Sequence, residues 1–192
     1  MTQTKKLTIM QILPALGVGG VEQGCIDIAS EIVKSGARSI VVSNGGSRIN
    51  DLLRIKSEHI NMPVHTKNPF TMLNNVRRLK RLIRKEGVDI VHARSRAPAW
   101  SAYLACKQTG TPFVTTFHGA YKGNENKSKH FYNGVMARGD RVIAVSNFMA
   151  DYVRENFSVD ERNLVVIPRG ADMERFRPDL VSAERAIKIA KE

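Results

Sequence analysis

The sequence predicts an α/β fold, a doubly wound and mainly parallel sheet of about seven strands with helices on both faces. Three observations predict it. Short apolar runs at 7–13, 38–43, 59–64, 88–92, 112–116, 141–145 and 163–167 alternate with segments of helical period. Those runs are nearly continuous in Val and Ile, the pattern of strands buried on both sides. Between the first run and the first helix stands "LPALGVGGVEQG", residues 13–24, with Gly17, Gly19 and Gly20 where a doubly wound sheet places its ligand loop.

Taken in order, the first run follows Lys5 and Lys6 and could imitate a signal peptide. Thr8 and Gln11 interrupt it and no small-x-small cleavage site follows, so it reads as a buried strand. Val21, Cys25, Ile28, Ala29 and Ile32 then recur on one face of a helix, and Gly36 stands where a left-handed C-cap belongs. In "VRRLKRLIRK", 76–85, the spacing of Val76, Leu79 and Ile83 docks a helix and leaves its basic residues outward. A further helix opens with Pro98 and closes near Gly110. Ser146 can cap the helix that carries Met149, Val153 and Phe157. At the end of the chain Ala183, Ala186, Ile187 and Ala190 form a stripe that needs a partner. Residues 1–180 therefore read as one domain, and 181–192 as the start of a linker or helix toward a further domain.

The 192 residues suffice for a full core, and no apolar run reaches the length of a membrane span. Thirty Lys and Arg against 18 Asp and Glu give a net charge of +12, which favours polyanionic partners: phosphorylated substrates, an anionic membrane face or nucleic acid. No nucleic-acid module is recognisable and aromatics make up only 6%, too few for a base-stacking platform. The two cysteines lack metal-ligand spacing and read as reduced core thiols of a cytoplasmic protein.

The glycine loop fails both common nucleotide fingerprints. Glu22 stands where G-x-G-x-x-G counted from Gly17 needs glycine, the second strand ends in "VVSNGG" without a ribose-binding acid, and no Gly-Lys-Ser/Thr follows. What remains is a loop whose backbone N–H groups can approach a phosphate at a helix N-terminus, or a plain tight turn. Other loops share that edge: "HARSRAPAW" brings Arg94 and Arg96, "TTFHGAYKG" brings His118 and Gly119, and "IPRGAD" brings Arg169. Arginine suits bidentate phosphate recognition, although such residues can equally be solvated or act as local caps. There is no Asp-x-Asp to bridge a metal and a diphosphate, and no H-E-x-x-H or G-x-S-x-G.

"GVGGVE", "DIVHARSRAPAWSAYLA", "PFVTTFHGAY", "RVIAVSNFMADYV" and "VVIPRGADMERF", in this order, resemble the N-terminal half of a family 4 glycosyltransferase of the GT-B fold. The likeness is greatest to bacterial lipopolysaccharide core glycosyltransferases of mannosyltransferase type. It implies two Rossmann-like domains facing across a cleft, and transfer of a hexose from a nucleotide-sugar with retention and without an essential metal or other cofactor. GDP-mannose is the donor that the mannosyltransferase likeness points to, and a lipopolysaccharide core or similar glycolipid is the acceptor. The resemblance places Gly19, Gly20, Glu22, Gly119 and Arg169 on the donor, His118 at the reaction centre as the catalytic residue, and Arg94 and Arg96 on the acceptor. Arg169 departs from the asparagine of many relatives. The family's second, donor-binding domain has no counterpart here, so the expectation is an incomplete enzyme, inactive alone.

The basic helix, with Arg77, Arg78, Arg81 and Arg84, is read either as a solvated face or as an electrostatic dock on the anionic inner face of the cytoplasmic membrane. A different class of function also stays open: a non-catalytic basic α/β module that binds anionic membrane or nucleic acid.

Overall fold

The computed structural model describes residues 6–122 and 125–170, together with Ser182. The expected stripe of Ala183, Ala186, Ile187 and Ala190 lies outside the described residues. Seven strands, β1 (Thr8–Ile12), β2 (Arg38–Ser43), β3 (Glu58–Asn61), β4 (Ile90–Ala93), β5 (Phe113–Phe117), β6 (Arg141–Ala144) and β7 (Leu164–Val166), form one sheet. Its order is β3-β2-β1-β4-β5-β6-β7, and each neighbouring pair is parallel. The expected doubly wound sheet is therefore present, and its direction of winding reverses between β1 and β4.

The helices are α1 (Gly20–Lys34), α2 (Ile49–Arg54), α3 (Pro69–Glu86), α4 (Arg96–Thr109), α5 (Lys127–Asn133) and α6 (Asn147–Asn156), with a 3₁₀ turn at Gly134–Ala137. Right-handed crossovers put helices on opposite faces to either side of the reversal. On one face Leu13, Leu16 and Val41 pack with Cys25, Ile26 and Ala29 of α1 and Leu52 of α2. On the other, Met10, Ile12, Val42 and Val91 share a core with residues of α3, α4 and α6. Full burial of such a side chain contributes about 1.5–3 kcal/mol.

Local signals end the helices as the sequence implies. Gly36 and Gly110 take left-handed φ values of 84° and 71°, which side chains resist, and close α1 and α4. Ser146 accepts a hydrogen bond from Met149 N at 3.2 Å and starts α6. Three details differ from expectation. Ile28 is exposed and Ile26 buried, because α1 turns its inner face one step from the predicted stripe. Pro98 is the third residue of α4 rather than its first, a position in the first turn where its missing N–H is still unneeded. Finally α3 starts at Pro69, well before 76, capped by Asn68, whose side chain accepts from Phe70 N and Thr71 N.

The amino edge of the sheet is closed by carboxylates. Asp89 accepts from Thr8 N, and Asp140 from Phe113 N, each at 2.8 Å. Arg38 pairs with both Glu58 (2.6 Å) and Glu86 (2.8 Å). These bonds leave the opposite, carboxyl edge as the place where loops diverge around the β1/β4 reversal.

Candidate active site

The glycine loop ends at the N-terminus of α1, beside that reversal. Gly19 is the N-cap residue, with extended backbone and no side chain to cap the helix. The N–H groups of Gly20, Val21 and Glu22 precede the first intrahelical bond, from Gln23 N to Gly19 O at 2.9 Å. They face outward with the positive end of the helix dipole behind them. Glu22, third in the helix, folds its carboxylate back over Gly19, so close that a Cβ on Gly19 would collide with it.

Two arginines converge on this helix end. Arg169, in the segment after β7, donates to the carbonyl of Gly20 and lies across the bare Cα faces of Gly20 and Gly24. Arg94, just past β4, is only 5% exposed and packs its guanidinium against Gly24 from below. Its Nη1 donates to Gln11 Oε1 at 2.9 Å, and Gln11 in turn donates to the carbonyl of Cys25 at 3.0 Å. The Arg94 Nε is buried without a partner among the described residues. Burial, and secondarily the positive charge of Arg169, push its pKa below the usual arginine range.

His118 follows β5 on the same edge, and both its ring nitrogens are buried without a partner among the described residues. Burial lowers its pKa to about 3, with Arg94 and Arg169 adding to the effect, so the ring is neutral at physiological pH. His92, deeper on the same face, is likewise held near 3 by burial, and its Nε2 bonds Thr116 Oγ1 at 2.7 Å. Gly119 is exposed with open space about its Cα.

The structure therefore separates the two arginines that the sequence grouped as one loop. Arg94 belongs with Gly20, Arg169 and His118. Arg96 turns the other way: its Nη1 donates to Asn133 Oδ1 at 2.7 Å and its guanidinium lies 4.3 Å from the centre of the Tyr121 ring. Tyr121 is held by Tyr152, whose hydroxyl accepts from the Tyr121 N–H (2.9 Å) and donates to its carbonyl (3.0 Å). Arg77, Arg78, Arg81 and Arg84 lie on α3, away from this cluster, with Arg78 half-buried and the other three exposed. Sequence reading passed over Gln11 as a partner, although a glutamine in the middle of an apolar strand is its signal. Asn133 and Tyr121 carried none. Cys25 and Cys106 are buried thiols with pKa raised by burial to about 12, inert as expected. Among the described residues no three His, Cys, Asp or Glu gather as a metal site.

A basic, partly unpaired cluster at a helix N-terminus suits an anionic ligand, and comparison with known proteins gives the chain a family. Residues 18–175 match the profile of Glycosyltransferase Family 4. The chain is 30% identical over 118 residues to the UDP-Gal:alpha-D-GlcNAc-diphosphoundecaprenol alpha-1,3-galactosyltransferase of Escherichia coli, covering 58% of this chain and 30% of that protein. A crystal structure of a glycosyltransferase from Rickettsia africae ESF-5 superposes with a TM-score of 0.83 at 44% identity, over 98% of this chain and 49% of that one. The lipopolysaccharide outer core galactosyltransferase WaaB in its apo form has the same fold (TM-score 0.67, 14% identity), over 87% of this chain and 47% of its own. The chain thus spans about half the length of these solved structures and less than a third of the Escherichia coli relative. The seven-stranded parallel sheet is that of the N-terminal half of a GT-B glycosyltransferase, and the chain belongs to Glycosyltransferase Family 4.

Proposed function

We propose that this chain is the N-terminal, acceptor-side domain of a retaining hexosyltransferase that moves a sugar from a nucleotide-sugar to a lipid-linked acceptor at a membrane surface. The observation that carries the proposal is the set of buried side-chain nitrogens without partners among the described residues, Arg94 Nε and both nitrogens of His118, beside a helix N-terminus that has no side-chain cap. Transfer breaks the bond between the sugar C1 and the diphosphate, whose oxygen keeps the electron pair. The acceptor hydroxyl forms the new bond to C1, and its proton passes to the departing diphosphate oxygen. Negative charge grows on the departing diphosphate, and preoriented N–H groups and guanidinium groups stabilise it without a metal ion. Arg169 can exchange the Gly20 carbonyl for a phosphate oxygen, a stronger charge-assisted bond. Neutral His118 can accept from, or donate to, a sugar hydroxyl beside C1, and it is the residue we assign to catalysis. Arg96, on the far side of His118 with Tyr121 and Asn133, faces the acceptor.

The Escherichia coli relative is named for UDP-Gal and for a diphosphoundecaprenol acceptor, which supports a hexose donor and a lipid-linked acceptor here. The mannosyltransferase likeness in the sequence makes GDP-mannose the competing donor. Fusing the chain to the remainder of the Rickettsia africae glycosyltransferase, and offering radiolabelled UDP-galactose, UDP-glucose or GDP-mannose with a lipid-linked acceptor, tests the reading. The fusion should transfer one of these sugars, and the 192-residue chain alone should transfer none. In the fusion, His118→Ala should lower turnover on the order of a hundredfold while the melting temperature holds. Turnover by the chain alone, or equal losses of turnover and stability in the variant, would contradict the proposal.

A further inference from the structure

The exposed side of α3 carries two kinds of residue in one line. Phe70, Leu73, Arg77, Arg81 and Arg84 fall within one face at helical spacing, opposite the buried Asn75, Val76, Leu79 and Ile83. The first two are strongly exposed, Phe70 at 85% and Leu73 at 52%. None of the three arginines forms an ion pair among the described residues.

The apolar end of that line continues across the surface. Pro69, Met72, Leu73 and Val76 of α3 face Trp100, Ser101 and Leu104 of α4 across an apolar groove of about 290 Å³. Phe131 of α5, 60% exposed, packs against Trp100 with ring centres 5.1 Å apart and ring planes tilted by 32°. Scattered exposed apolar residues are ordinary, but a contiguous patch beside a row of unpaired cations is the signature of a surface that lies in a lipid interface.

We infer that the α3–α4 corner inserts into an anionic bilayer, with Phe70, Leu73 and Phe131 entering the acyl region and Arg77, Arg81 and Arg84 on the headgroups. Charge complementarity selects this occupant over a protein partner: the chain carries +12, and the cations beside the patch are left without carboxylates. The position also fits a lipid-linked acceptor, and to that extent the inference rests on the proposed function. Trp100 lies one turn along α4 from Arg96, about 6 Å down the axis. A headgroup at Arg96 can therefore stay joined to a chain that remains in the bilayer. The basic stripe alone, as the sequence presents it, would give only a salt-sensitive attraction. The apolar end adds a component that salt does not screen.

Co-sedimentation of the 192-residue chain with vesicles of phosphatidylcholine plus phosphatidylglycerol, at low and high salt, separates the two components. Replacing Arg77, Arg81 and Arg84 with glutamine should weaken binding roughly a hundredfold at low salt, from about 1 kcal/mol per charge, and less at high salt. The double variant Phe70→Ser with Leu73→Ser should weaken it about tenfold or more at both salts, since each buried CH₂ contributes about 0.8 kcal/mol. Both variants alter exposed positions, and unchanged circular dichroism should confirm the fold. Phe70→Trp should gain fluorescence quenched by brominated acyl chains, beyond that of Trp100 in the wild type. Binding that ignores the serine variant, or an added indole signal in Phe70→Trp that brominated lipid leaves untouched, would overturn the insertion. A serine variant that instead converts a dimer to a monomer in sedimentation would assign the patch to a second copy and overturn it too. These readouts are of binding only, so they stand or fall separately from sugar transfer.

Discussion

At the amino edge of the sheet Asp89 and Asp140 accept strand N–H groups and Arg38 is shared between Glu58 and Glu86, whereas at the carboxyl edge Arg94 and His118 hold buried nitrogens that nothing in the described residues satisfies. Both edges belong to the same seven strands. The difference is in what their polar groups are paired with. Unpaired buried donors cost free energy in the folded protein, and a fold keeps them where a ligand completes them. In the function proposed above, the amino edge serves stability and the carboxyl edge serves binding.

Lowering the pH should break the two edges apart most strongly. His92 and His118 are held near 3, well below the ordinary 6.5, so the unfolded chain takes up protons that the folded chain refuses between those values. Stability from these neutral rings is fully present above pH 6.5 and is lost as pH falls toward 3, at up to about 1.4 kcal/mol per pH unit for each ring. Thermal melts between about pH 6.5 and 5, above most carboxylate titrations, should slope downward with acid. His118→Asn with His92→Asn should remove most of that slope and leave the part that His59 contributes, whose pKa burial also lowers, while Arg38→Gln should leave the slope as it is. A flat wild-type profile would contradict the assignment.

Next in size is Gln11→Leu. It removes the oxygen that holds Arg94 Nη1 and leaves a buried cation with less support. The expected cost is about 3 kcal/mol, or roughly 6–12 °C in melting temperature for a chain of this size. Calorimetry on the purified variant checks it, and a loss within the noise would mean that Arg94 repacks toward solvent.

Gly24→Ala sharpens the comparison through its sign. In an ordinary helix interior the change stabilises by about 1 kcal/mol. Here a Cβ would lie 2.9 Å from Arg94 Nη2 and 3.1 Å from Arg169 Nη2, so both guanidinium groups must give way. A lower melting temperature and weaker nucleotide-sugar binding are expected, and a gain in stability would show that the arginines are not held in place. The smallest effect belongs to the amino edge: Arg38→Gln should cost about 0.5–1 kcal/mol, as half-exposed pairs do, with no change in ligand binding.

Much of this architecture is legible in the sequence because it rests on short-range periodicity. All seven apolar runs are strands, Gly36, Gly110 and Ser146 cap the helices they were expected to cap, and the glycine loop lies at the winding reversal. What escaped is what pairs over long separations. Gln11 and Arg94 are 83 residues apart, and only the β1/β4 neighbourhood brings them into contact. Arg96 and Asn133 meet through α5, a short helix without a clear apolar stripe. The apolar end of α3 was hidden for another reason: the dense charge of 76–85 marks its own stretch, while the cap that starts the helix lies at Asn68.

The central claim is that the carboxyl edge is left unpaired for a nucleotide-sugar, and the ring nitrogens of His118 report on it directly. Long-range proton–nitrogen NMR of the histidine side chains, during titration with UDP-galactose and with GDP-mannose, follows them one ring at a time. His118 should shift with one of these ligands, even at the weak affinity expected of this half of the cleft, while His130, stacked on the Phe157 ring, holds still. If the His118 nitrogens stay fixed while other signals titrate with the nucleotide-sugar, the ligand binds elsewhere and the claim is wrong.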